Sequence, residues 1–237
     1  MHHLALERWS RLDSPLHRLD ARAKIVITLA VLLSVSFTRP HEIALFAIYF
    51  LLLCTASLLA RLPWWKVLAR GLIVLPFVAG VVILNLAGGD PIRAWAVLAR
   101  GYLSAVAVLL LLATTTFPKL LRGFESLGVP RFFGMILHFV YRYLFVLFEQ
   151  AHNMRRASRC RAPRRRLRRR PLFDAAAGAV AVLFARSYGR AERIHQAMLA
   201  RGFQEHFELL ETPSVGPRDW TILGAALGFL ALLQFLR

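Results

Sequence analysis

The chain has 237 residues, 57% of them hydrophobic and only 19% charged, with a mean hydropathy of +0.52. Soluble domains carry roughly 25% charged residues, so this balance excludes a disordered tail and argues against an ordinary soluble domain. Lys and Arg total 31 against 13 Asp and Glu, a formal charge of +18, which fits an inner-membrane protein with its positive charge collected on one side.

Residues 1–24 stay polar and lack the charged-then-apolar pattern of a signal peptide. His2 and His3 are imidazoles of the right type for a borderline metal, but an adjacent pair is too few ligands to hold one. A helix that crosses a bilayer needs about 20 apolar residues. Residues 25–38 form a short run that 19–24 can extend with snorkelling ends. The run 43–60 is a full span, and 67–87 is another despite Pro76, which neighbouring helices can accommodate. The run 95–116 spans if Arg100 reaches an interface. The last run, 220–236, opens on Trp220 as an interfacial anchor. All of the Lys and Arg residues except Arg39, Arg93, Arg100 and Arg237 then fall on one face. Basic residues mark the cytoplasmic side, so the amino terminus is expected inside and the carboxyl terminus outside. The expected division is a four-span membrane domain at 1–116, a cytoplasmic domain at 117–218 and a final span at 219–237.

The cytoplasmic segment is helical in pattern almost throughout. Residues 117–127 are amphipathic and stop at Gly128, with Pro130 opening the next helix. Over 130–161, Phe132, Phe133, Ile136, Leu137, Val140, Leu144, Leu147 and Phe148 recur at helical spacing. Arg142 and Glu149 interrupt the stripe, so it is not a clean span. A basic block at 155–170 follows, then a helix at 173–201 that ends on Gly202, a residue suited to a left-handed cap. A polar linker at 205–217 leads into the last run.

No catalytic constellation emerges. Asp13, Asp20, Asp90, Asp174 and Asp219 are scattered, and neither a zinc-protease motif nor a nucleophile elbow occurs. Residues 123–128 have the glycine spacing of a phosphate loop. Val129 and Pro130 stand where its lysine and hydroxyl should be, so the glycines read as a helix stop. Cys54 and Cys160 give neither a disulfide framework nor a thiolate cluster. No metal site is expected, and no cofactor on this chain. The basic block has three readings. Arg164, Arg165, Arg166, Arg168, Arg169 and Arg170 suit anionic lipid, each worth about 1 kcal/mol near a charged surface. The helical arginines before Pro163 suit an acidic partner, through arginine's planar fork. Nucleic acid ranks last, because no aromatic residues are interleaved.

Four stretches together resemble the transmembrane T component of energy-coupling factor (ECF) importers, of the cobalt or nickel type, CbiQ. Residues 14–24, SPLHRLDARAK, are similar to the family's amino-terminal signature, with Ala21 where proline is more usual. Residues 141–149, YRYLFVLFE, are similar to its long coupling helix. Residues 153–162, NMRRASRCRA, occupy the place of its first arginine motif, and 186–203 that of its second. The triplet Ala-Arg-Gly occurs three times, at 69–71, 99–101 and 200–202. Only the third closes a long amphipathic helix.

The resemblance implies an all-α polytopic membrane protein with about five transmembrane helices and a cytoplasmic region of long coupling helices. It implies a non-catalytic scaffold that transmits the motion of two ATP-binding-cassette ATPase subunits to a substrate-binding membrane subunit, CbiM-like, with a small CbiN-like subunit as a further partner. ATP and magnesium would sit in the ATPases. Cobalt is the cargo the resemblance favours, ahead of nickel or a vitamin. The arginines that dock would be Arg201, flanked by Ala200 and Gly202, and Arg161, flanked by Cys160 and Ala162, with Arg159 competing for the first position. Gly224 and Gly228 have small-residue spacing that permits close helix approach, either for a subunit contact or incidentally in an alanine-rich span. The rival reading is a generic inner-membrane anchor that binds anionic lipid and an unrelated cytoplasmic protein.

Overall fold

The computed structural model describes residues 14–161, 169–203 and 216–235, and every regular element among them is helical. The chain divides into two compact units, Met1–Gly128 with Thr212–Arg237, and Val129–Glu211. The first holds α1 (Pro15–Arg18), α2 (Ala21–Phe37), α3 (Ile43–Leu59), α4 (Trp64–Gly71), α5 (Leu75–Ala87), α6 (Pro91–Thr114), α7 (Phe117–Ser126) and α10 (Pro217–Phe235). The second holds α8 (Arg131–Arg161) and α9 (Arg169–Leu199).

The five apolar runs all lie on these helices, so the fold is that of an all-α polytopic membrane protein. Trp64–Ala87 and Pro91–Thr114 are long and apolar enough to cross a membrane, while Ile43–Leu59 and Asp219–Phe235 are shorter apolar helices. By length and composition Phe132–Arg161 also qualifies. Its two charged interruptions are diluted over a 31-residue helix. The run at 67–87 is helical throughout, with a 3₁₀ turn at Leu72–Val74 between α4 and α5. Pro76 thus falls in the first turn of α5, where its missing N–H leaves no bond unmade.

Helix α6 is the centre of the first unit and packs against α2, α3, α4 and α5. Its buried face, Ala94, Ala96, Ala99, Leu103, Val106, Ala107, Leu110 and Ala113, is mostly small, so four neighbours can approach closely. Helix α3 contributes Phe46, Tyr49, Leu53 and Ser57, spaced by three and four residues. The outward faces stay apolar, with Phe77 83% exposed and Leu84 72% exposed. Lipid, not water, is the solvent that such faces fit.

Two long-range pairs fix how helices run beside α2. Lys24 Nζ donates to the Thr114 carbonyl and Arg100 donates to the Thr38 carbonyl, so α6 is antiparallel to α2. The Asp20 N–H donates to Asp219, and Gln234 Nε2 donates to the Ser34 carbonyl, so α10 is parallel to it. Arg100 therefore does not simply snorkel: it closes the carboxyl end of α2, where a cation complements the helix dipole.

Candidate coupling site

The first arginine stretch is the carboxyl end of α8. Arg159, Cys160 and Arg161 are all exposed there, and Ala162 lies outside the described residues. A helix turns about 100° per residue, so Arg159 and Arg161 point to nearly opposite sides, and one groove can take only one of them. Of the lipid stretch, Arg169 and Arg170 open α9, while Arg164, Arg165, Arg166 and Arg168 lie outside the described residues, as do His2 and His3.

The second stretch follows the other end of α9. The Phe203 N–H reaches back to the Met198 carbonyl at 3.1 Å, the Gly202 N–H bonds the Leu199 carbonyl at 3.0 Å, and Gly202 has φ of +79°. This paired pattern is a Schellman stop, and the left-handed position suits glycine. Ala200, Arg201 and Gly202 are exposed on it. A 31-residue helix is about 46 Å long. The chain enters α9 soon after Arg161 and leaves it at Arg201, so the two motifs are presented separately and not gathered into one pocket.

The three Ala-Arg-Gly triplets have different physical uses. A Cβ on Gly71 would stand 2.9 Å from Val106, and one on Gly101 would stand 2.9 Å from Val78. Both glycines let helices touch α6 or let α6 touch them. Only Gly202 has positive φ, with open space around it. Around Gly224 and Gly228 a Cβ would meet nothing either, so neither serves packing among the described residues.

Sequence reading missed a cluster around the first turn of α2. Ser14 Oγ lies 2.7 Å from His17 Nδ1, and Asp20 caps α2 by accepting the Arg22 N–H at 2.9 Å. Lys24 is 7% exposed, and its Nζ donates to the carbonyls of Thr114 at 3.0 Å and His17 at 3.4 Å. Asp219 accepts the N–H of Asp20 at 3.4 Å and that of Gly216 at 3.1 Å. The signature 14–24 is thus the part of the chain that ties α2 to the ends of α6 and α10. The spacing of Asp20 and Asp219 in sequence gives no hint of it.

Among the described residues no group of three or more His, Cys, Asp or Glu could hold a metal ion. Cys54 and Cys160 are both free.

The family model CbiQ, described as cobalt transport protein, matches residues 13–211. The cobalt transport protein CbiQ of Rhodobacter capsulatus is 32% identical over 154 residues, which is 63% of this chain and 61% of that relative. An uncharacterised protein of Methanocaldococcus jannaschii is 24% identical over 249 residues, covering 96% of this chain and 84% of its own length. A second from the same organism is 29% identical over 111 residues, 46% of this chain and 41% of the relative. With the family model spanning most of its length and its helices built for a bilayer, the chain belongs to the CbiQ family of cobalt transport proteins, as a multi-pass membrane component.

Proposed function

We propose that the protein is the coupling subunit of an ECF-type importer, most simply for cobalt. It binds two ATP-binding-cassette ATPase subunits through Arg201 and Arg161 and passes their motion to a CbiM-like substrate-binding membrane subunit, with a small CbiN-like subunit as a further partner. The chain itself does no chemistry, and ATP and magnesium belong to the ATPases. The observation that carries this reading is the Schellman stop at Gly202, which ends a long helix and presents Arg201 at its tip. An arginine fork at such a place can pair with carboxylates or carbonyls in a partner's groove. The exposed helix end at Arg159–Arg161 offers the same chemistry at a separate point. Large apolar side chains on both long helices, with Phe148 72% exposed and Phe184 70% exposed, fit a unit whose native surroundings include other subunits or lipid.

The membrane arrangement belongs to the same proposal: an inner membrane, the amino terminus inside, the carboxyl terminus outside, and residues 117–218 as the cytoplasmic coupling domain. The parallel course of α2 and α10 supports it, because two parallel spans place the ends of a five-span chain on opposite sides. Residues 164–170 would rest on anionic lipid. Co-expression with the products of its neighbouring genes, followed by affinity purification, tests the reading. Retention of an ATPase with a phosphate loop is the expected result; a chain that purifies without one returns the generic anchor to first place.

A further inference from the structure

The chain leaves the first compact unit at Gly128 and returns to it at Thr212, so the backbone joins residues 129–211 to the membrane helices at two crossings. Among the described residues, a packed position of α7 before the first crossing and the start of α10 after the second are fastened to the same turn of helix. On the departing side, α7 packs on α2, and Gly123 stands at a close approach. A Cβ there would stand 2.6 Å from Ile25 Cδ1, 3.3 Å from Ala21 Cβ and 3.4 Å from the Ala21 backbone carbon. On the returning side, Gly216 is the first described residue. Asp219 holds the Gly216 N–H with one carboxylate oxygen at 3.1 Å and the Asp20 N–H with the other at 3.4 Å. A third tie comes from Lys24, which grips the Thr114 carbonyl at 3.0 Å, at the end of α6 from which the chain runs into α7.

We propose that the first turn of α2, residues 20–25, is the fulcrum of the coupling motion, with Asp219 and Gly123 as positioning residues that pin the two connections to it. This rests on the coupling reading above and adds where the lever is fixed. Close-packed protein is hard to compress and transmits strain. A pull on the coupling helices that reached two loosely held connectors would be absorbed in them. With α7 and the start of α10 both seated on one turn, the same pull moves α2, α6 and α10 together.

The test uses the complete complex in proteoliposomes, the ATPases and the substrate-binding subunit included, with transport and ATP hydrolysis measured together. Asp219→Ala should keep ATPase binding and hydrolysis within about twofold of wild type while transport per ATP falls at least fivefold. Asp219→Asn keeps an acceptor for one of the two N–H groups but turns its NH2 on the other, and should recover only part of the loss. A Gly-Ser-Gly insertion after Gly128, where a Cβ would meet nothing within 4 Å, should also lower transport per ATP, and unchanged transport there overturns the fulcrum even if Asp219→Ala fails to fold. Unchanged transport per ATP in the insertion variant, or in folded Asp219→Ala, overturns the fulcrum. So does a parallel loss of ATPase binding, which would mark a merely structural role. If the wild-type chain binds no ATPase, the coupling reading falls first; if wild type couples and the variants couple equally well, only the fulcrum falls.

Discussion

Arg201→Ala is expected to weaken binding of the ATPase by about 2–5 kcal/mol, the usual cost of removing one partner from a buried, hydrogen-bonded charged contact. That is a loss of roughly thirty- to several-thousand-fold in affinity. In the free chain Arg201 is exposed, so its removal should leave thermal unfolding unchanged, and the whole effect should appear on docking. Arg201→Lys keeps the charge but not the fork and should recover only part of it. Arg161→Ala should behave like Arg201→Ala, whereas Arg159→Ala, pointing to the other side of α8, should cost much less. Titration of purified ATPase against the chain in detergent measures each. A full-strength complex with both Arg161 and Arg201 replaced would end the docking assignment. Gly202→Ala tests the presentation itself: a left-handed residue with a side chain costs about 1 kcal/mol, and the helix tip should loosen without loss of the arginine.

Gly123→Val should be the most damaging substitution in the membrane unit. Its Cβ would fall 2.6 Å from Ile25 and 3.4 Å from the Ala21 backbone. The isoleucine tip can turn aside, but the backbone of α2 has little room to retreat. Overpacking of this kind costs about 3 kcal/mol, and a valine adds two more methyls to place. Gly224→Ala and Gly228→Ala are the matching controls. A Cβ at either meets nothing within 4 Å, so in the isolated chain they should be neutral or slightly stabilising, since alanine is the better helix former. Unfolding monitored in detergent separates the two classes. Equal stability of Gly123→Val and wild type would contradict the tight contact between α7 and α2.

What could be read from the sequence follows a simple division. Lipid-facing helices announce themselves because their solvent demands continuous apolar runs, and all five runs lie on helices. The stops at Gly128 and Gly202 were legible because a glycine after a periodic stripe is a local signal, and both residues have positive φ. The same tripeptide at 69–71 and 99–101 could not be told apart by local rules. Gly71 and Gly101 are there for neighbours brought close by the fold. Arg100 and Thr38 are 62 residues apart, and Asp20 and Asp219 are 199 apart. No periodicity reports pairings of that kind, so the polar cluster around Lys24 was visible only as a signature with no stated purpose. The 3₁₀ turn between α4 and α5 was not legible: Pro76 reads only as a tolerated residue in a span, and the turn lies just ahead of it.

The pairing of Lys24 with Thr114 and of Arg100 with Thr38 also measures depth. Between Lys24 and Thr38 the α2 rod covers only about 21 Å, whereas α6, with 24 residues, reaches about 36 Å. A bilayer's oily interior is about 30 Å thick, so the Lys24–Thr38 rod alone falls short of it, while α6 can tilt or stand clear of it at one end. Thinning of the membrane beside the α2–α3 hairpin would meet the shortfall by bringing headgroups and water to Arg39, His41 and Glu42. A spin label at Phe37, exposed beside Thr38, should register oxygen and water as an interfacial site does; readings typical of mid-bilayer would rule the thinning out.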